Sequence, residues 1–276
     1  MKKSIILCFI FLIIISCKKE EFNIINLNGN RITALGHAGM GIGNTYPMNS
    51  YESILKCLNL GMDGTEFDVQ MTKDGVLVAY HDQELSDNTN LNGLINSLNW
   101  NEINKARYNQ TPYLDYSIIS LEQLFSNIEN LQKYKFTFDC KLYNNNNNIT
   151  QTQFFESYIN AVVNIIQKHQ IENNIYIESQ SVEFLTLFKN KKPDYKLFIY
   201  QSSFESGLDI ALSLDLFGVT ISTQNITKEQ IKIAHDNKLL VAIWNTHSAS
   251  DNIEAINKNP DFIQTDKVKN LIKLLK

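Results

Sequence analysis

Apolar positions along this chain recur in short runs that switch between two periods. Runs of four to eight residues predict strands at 32–35, 65–71, 135–142, 174–178, 195–200, 218–222, 239–244 and 261–264. Between them, apolar residues three and four apart predict helices at 51–60, 121–131, 151–169, 182–189, 206–212, 228–237, 250–257 and 267–275, of which 206–212 is the weakest. In the first helix Ile54, Leu55 and Leu58 share a face, Asn49-Ser50 offers a cap and Gly61 a stop. Asp74-Gly75 predicts a tight turn, so 76–80 returns as a hairpin arm on the second strand. The stretch 85–110 reads as polar and irregular, with a turn at Asn92-Gly93 and a short helix over 99–106. Five consecutive asparagines at 144–148 read as a loop without chemistry of its own.

With the arm counted as an excursion, the order is eight strand-then-helix steps. Such alternation predicts a parallel sheet covered by helices. Eight steps in this length favour closure, so the expected fold class is α/β, a single-domain (β/α)8 TIM barrel over 31–276. No Gly-x-Gly-x-x-Gly follows the first strand, which disfavours an open dinucleotide-binding sheet.

The first residues add a targeting signal. Lys2 and Lys3 precede an apolar run over 5–15, shorter than the roughly 20 residues that span a bilayer. The run ends Ile14-Ile15-Ser16-Cys17, which resembles a bacterial lipobox. The expectation is a signal peptide at 1–16, a lipidated Cys17, a polar tether over 17–30, and a lipoprotein of the bacterial cell envelope that meets the membrane only through its acyl chains. The alternative is an ordinary signal peptide with a chance cysteine. The formal net charge is −4 and no basic stripe appears, so nucleic acid is not an expected partner. Cys57 and Cys140 offer neither a disulfide framework nor zinc spacing and are expected as buried thiols. The oligomeric state stays open.

Alternate side chains on a strand share a face, so Glu66, Asp68 and Gln70 point one way and Phe67, Val69 and Met71 the other. In a barrel the polar set faces the interior, where two carboxylates are costly unless a cation compensates them. Oxygen-only ligation suits a hard divalent ion, Ca²⁺ or Mg²⁺. A half-exposed strand with its acids in water has the same spacing. Asp139 stands near the end of the third strand, where barrel active sites gather, and could add a third oxygen. Lys141 shares its face and could carry charge for an anionic oxygen; an ion pair between the two is the simpler reading. His37 and His81 each follow a strand-like run and could divide acid and base roles at the same mouth. Asp82 could orient His81. His247 could border the pocket, and Trp244 could form an apolar wall for a substrate. His169 and His235 lie on helices among charged neighbours and read as surface residues.

Taken together, His37, Glu66-x-Asp68, Thr72-Lys73-Asp74-Gly75, His81-Asp82, Asp139-x-Lys141, Trp244 and Thr265-Asp266 resemble the glycerophosphodiester phosphodiesterase family. The block 66–82 is the most specific part, and the match spans almost the whole chain after the signal. The resemblance implies a TIM barrel with a divalent cation, Ca²⁺ or Mg²⁺, on Glu66, Asp68 and Asp139. It implies His37 and His81 as acid and base, and a small-molecule phosphodiester cleaved to sn-glycerol 3-phosphate and an alcohol. Three positions depart from the family pattern. Ala38 replaces an arginine, Met48 replaces a glutamate, and Asp139 is one methylene shorter than the commoner glutamate. Loss of both Arg and Glu reads as a charge pair that has gone together, weakening the grip on phosphate. Two other readings stand beside this one. The first is a phosphodiesterase of the phosphatidylinositol-specific phospholipase type, whose metal-free members do not keep three acids. The second is an envelope binding protein that keeps the barrel but not turnover.

Overall fold

The computed structural model describes residues 25–26, 29–43, 45–146 and 148–275; the expectations for 1–16 and for Cys17 lie outside the described residues. Ten strands run in chain order: β1 Thr33–Gly36, β2 Gly64–Met71, β3 Leu77–Ala79, β4 Ile119–Ser120, β5 Lys135–Cys140, β6 Ile175–Ser179, β7 Lys196–Tyr200, β8 Gly218–Ser222, β9 Leu240–Thr246 and β10 Phe262–Thr265. Eight of them pair in parallel in the order β1-β10-β9-β8-β7-β6-β5-β2, and β1 pairs with β2 to close the ring. Helices follow the barrel strands and cover them, which makes the chain a single-domain (β/α)8 barrel. The main core lies between the two layers, where Phe67 and Val69 of β2 meet Phe136 and Phe138 of β5 and Phe125 of a covering helix. Inside the barrel, Leu35, Tyr176, Phe198, Ala242 and Phe262 form a separate apolar floor.

Local chemistry explains where the elements stop. The helix Tyr51–Asn59 starts on Ser50, whose hydroxyl accepts the Ser53 N–H, and Gly61 follows its end at φ +98°. Gln151–His169 begins on a reciprocal cap between Thr150 and Gln153 and has the predicted bounds. The helix expected over 121–131 ends at Ser126. Ile128 and Leu131 continue the helical spacing, but Asn130 sits in the left-handed region at φ 52° and Leu131–Lys133 is a separate 3₁₀ turn. The weak helix over 206–212 is in fact Phe204–Ser213. Gly207 lets this helix approach β8: a Cβ there would lie 2.9 Å from Val219 Cγ1.

Two further expectations are corrected. The stretch 85–110 holds two 3₁₀ turns, Leu85–Asp87 and Ile95–Ser97, and a short α-helix at Trp100–Ile103, but it is not simply a polar loop. Leu85, Ile95, Ile103, Ala106 and Tyr108 pack with Val78, Tyr80 and Ile118 into a small core beside the barrel mouth. His235 and His169 are not surface residues. His235 is buried, with Nε2 2.8 Å from Asp261 Oδ2, because its helix turns that face toward the strands. His169 lies against the Phe125 ring and reaches Glu122 at 3.2 Å. Cys57 and Cys140 are buried free thiols, as expected.

Candidate active site

Strand alternation and register bring the acids together. Glu66 and Asp68 face the barrel interior while Phe67 and Val69 face the helices. Asp68 pairs with Asp139 of β5, and Asp139 with Glu178 of β6, so three acids stand side by side on neighbouring strands. Carboxylate oxygens of Glu66, Asp139 and Glu178 lie within 4.8 Å of one another. Asp68, the register partner of Asp139, shares Lys141 with it. Lys141 Nζ is 2.9 Å from Asp68 Oδ1 and 2.7 Å from Asp139 Oδ2. Asn49 donates to Asp68 Oδ2 at 2.8 Å and accepts the Asp68 N–H at 3.0 Å, so one amide clasps both the side chain and the backbone.

The two imidazoles are held by carboxylates. His37 follows β1, with its N–H on the Thr265 carbonyl and its Nδ1 2.8 Å from Asp266 Oδ1. That leaves Nε2 directed toward the acids, 3.9 Å from Glu66 Oε2. Asp266 also accepts the Ile42 N–H at 3.0 Å and contacts His247 Nδ1, which places His247 beside the site as a partner of Asp266. Gly41, at φ +91°, lets this loop close: a Cβ there would be 2.3 Å from Asp266 Cα. His81 Nδ1 lies 2.8 Å from Asp82 Oδ1, and Asn88 donates to the other Asp82 oxygen. Gln70 fixes the strand return that delivers His81 by donating to the Tyr80 and Asp82 carbonyls at 2.8 and 2.7 Å.

Burial dominates the electrostatics. It pulls the His37 imidazolium down, but Asp266, Glu66 and Asp68 outweigh it and raise the group from 6.5 to about 9. Burial raises Glu66 well above the usual carboxylate range, with His37 opposing. Burial and the neighbouring Asp139 push Glu178 up to about 8. Asp139 is raised by burial against the pull of Lys141. Asp68 is the exception. Burial raises it too, but Lys141, His81 and Asn49 together hold it below the ordinary range. Lys141 is itself raised: burial lowers it, and Asp68 and Asp139 more than reverse that.

His37, His81, Glu66, Asp68, Asp139, Glu178 and Lys141 border one cavity of about 690 Å³ at the C-terminal ends of the strands. Trp244 forms a wall, its ring 6.3 Å from that of His37 and 5.6 Å, edge-on, from Tyr200. Met48 lines the opening, and its carbonyl accepts the Tyr108 hydroxyl from the small core of the insertion. Ala38 is fully buried at φ 48°, and its N–H donates to Glu66 Oε2 at 3.0 Å. The sequence reading missed Glu178, although an acid closing an apolar strand was the same signal that found Asp139. It took Asn49 only for a helix cap, and gave Asp266 no role.

A sequence model of the glycerophosphoryl diester phosphodiesterase family matches residues 40–270. The chain belongs to this family. It is therefore a phosphodiesterase, a hydrolase of phosphoric diesters. Among its relatives is a glycerophosphodiester phosphodiesterase of Bacillus altitudinis, 24% identical over 239 residues, which cover 83% of this chain and 93% of that one. Another, from Caldanaerobacter subterraneus, is 23% identical over 240 residues, 87% of this chain and 96% of that one. A solved phosphodiesterase of Oleispira antarctica, in complex with the product sn-glycerol-3-phosphate, superposes with a TM-score of 0.76 at 19% identity, covering 87% of this chain and 95% of that one. A glycerophosphodiester phosphodiesterase of Parabacteroides distasonis superposes at 0.74 and 18% identity, covering 89% and 97%. At these identities the superpositions establish the barrel and nothing finer.

Proposed function

We propose that this phosphodiesterase hydrolyses glycerophosphodiesters to sn-glycerol 3-phosphate and an alcohol, with a divalent cation and with His37 and His81 as acid and base. The observation that carries the reading is a single cavity lined by two carboxylate-held imidazoles, five acids and Lys141. The product bound to the Oleispira antarctica phosphodiesterase supports the choice of ester.

The donor set fits a hard cation. Glu66, Asp68 and Glu178 are buried and Asp139 nearly so, the set offers only oxygen donors, and burial favours the protonated forms of Glu66, Asp139 and Glu178, whose protons a hard cation would displace. A Ca²⁺ or Mg²⁺ ion bound among these acids supplies positive charge beside the phosphoryl oxygens. Lys141 lies in the same cavity and offsets the negative charge that grows on the phosphoryl oxygens in the transition state. One imidazole takes a proton from the attacking water as the water oxygen bonds to phosphorus. The other gives a proton to the alcohol oxygen as its bond to phosphorus breaks. Asp266 and Asp82 hold the two rings by Nδ1, which turns each Nε2 to the substrate. Trp244 offers the carbon skeleton an apolar surface.

Release of sn-glycerol 3-phosphate from glycerophosphocholine, with and without chelator, tests the reading. The expected result is turnover that chelator abolishes and Ca²⁺ or Mg²⁺ restores. Binding without turnover would favour the binding-protein reading instead. We also propose that the enzyme is anchored in the bacterial cell envelope through acylated Cys17; the lipobox-like Ile14-Ile15-Ser16-Cys17 supports this. Among the described residues no helix is long and apolar enough to cross a membrane.

A further inference from the structure

We infer that His247 is a positioning residue for His37: it holds the second oxygen of Asp266 and so fixes the carboxylate against which the His37 ring is set. The inference rests on the reading of His37 as a proton carrier and adds a residue to it.

Asp266 follows β10 and is buried. Its two oxygens serve two imidazoles. Oδ1 takes His37 Nδ1 at 2.8 Å and the Ile42 N–H at 3.0 Å, and Oδ2 takes His247 Nδ1. Burial raises the Asp266 carboxyl, but His37, the Ile42 N–H and His247 hold it below its ordinary range. It is therefore an ionised acceptor, and each ring donates to it through Nδ1–H. A carboxylate gripped by one oxygen can still swing about its side-chain bonds and carry His37 with it. Gripped by both oxygens, it is fixed.

The two supports of Asp266 besides His37 differ in stiffness. Ile42 lies between Gly41 and Gly43, both at positive φ, in a loop with little side chain to pack. His247 is set by the start of the helix Ala249–Lys258. Its N–H and that of Ser248 both donate to Asp251 Oδ2, at 2.9 and 2.8 Å, and the Ser248 hydroxyl accepts the Asp251 N–H at 3.1 Å. The Asp266 backbone hangs on the same corner, with its N–H on the Thr246 carbonyl at 3.2 Å. His247 is half exposed and is not among the residues that border the cavity, so it acts through Asp266 and not on substrate. What it secures is the aim of His37 Nε2, which lies 3.9 Å from Glu66 Oε2 and faces the reacting groups.

The test is steady-state hydrolysis of glycerophosphocholine at saturating Ca²⁺ or Mg²⁺ by the full-length protein in detergent. His247→Ala and His247→Phe should lower kcat by about tenfold, the scale of one hydrogen bond, with KM little changed. His247→Asn should recover most of the loss, because its amide nitrogen stands at the same place along the side chain as imidazole Nδ1. The melting temperature should stay near that of wild type in all three, because the helix cap uses the backbone N–H of residue 247. A second readout needs no turnover. In ¹⁵N-histidine-labelled protein the His37 Nδ1–H resonance should be sharp in wild type and His247→Asn and broadened by exchange in His247→Ala. Wild-type kcat in His247→Ala, or a loss that His247→Asn does not recover, would overturn the inference and leave the proposed function standing. A wild type without turnover would remove the proposed function, and an unchanged His37 resonance in His247→Ala would remove the positioning role by itself.

Discussion

Under the proposed function, a proton and a cation would compete for the same buried charge at this mouth. Without a cation, His37 keeps its proton up to about 9 and Glu178 up to about 8. The sign for stability is the same for both. A raised histidine stabilises fully below its ordinary 6.5, and that contribution is lost as pH climbs through about 9. A raised acid binds more protons folded than unfolded between its ordinary 4.5 and about 8, so stability falls across that range. The melting temperature of chelator-treated protein should therefore drop between about pH 6.5 and 9, and the rise produced by Ca²⁺ should grow over the same interval. A flat profile would mean that these groups are solvated in solution. Among the described residues Lys141 is the one lysine or arginine that lines the cavity, so under the proposed function the phosphate charge would fall to it and to a bound cation. At this scale the site was partly legible from sequence. The types and spacing of His37, Glu66, His81 and Asp139 were sufficient. The clasp of Asn49 on Asp68 was not, because it depends on a loop at φ 63° that returns the amide to β2.

Among the elements, legibility follows how continuous the apolar signal is. Gly218–Ser222 and Gln151–His169 have the bounds read from sequence, the first a short apolar run and the second a long amphipathic stretch with a cap. The helix Leu121–Ser126 was overread because spacing alone cannot register the left-handed turn at Asn130. The small core around Tyr80, Leu85 and Ile95 was underread because its apolar residues follow neither period. In the helix read as weakest, Gly207 is a contact. Gly207→Ala should push its helix off β8, where the new methyl meets Val219 at 2.9 Å, and destabilise the fold by about 1–3 kcal/mol. Urea denaturation measures this; a Gly207→Ala protein more stable than wild type would show that helix entropy outweighs the clash.

Across the whole molecule, polarity is divided between the two ends of the barrel. Tyr176, Phe198 and Phe262 fill the floor, while the acids and imidazoles crowd the opposite mouth. The chain also enters at the floor: Asn26 hydrogen-bonds Asp261, the residue before β10, and Ile25 bridges Arg31. An anchor at Cys17 would then hold the floor and leave the mouth to soluble headgroup esters. Cys17→Ser should move the protein from the membrane fraction to the soluble fraction with its glycerophosphocholine turnover unchanged; retention in the membrane fraction would remove the anchor. The central claim is that the two imidazoles move protons across a bound phosphodiester. Its most direct test is the rate of sn-glycerol 3-phosphate release by wild type, His37→Ala and His81→Ala at saturating cation. The account predicts losses of about 10²–10⁴-fold in each variant with cation affinity preserved. Wild-type turnover in both variants would contradict it.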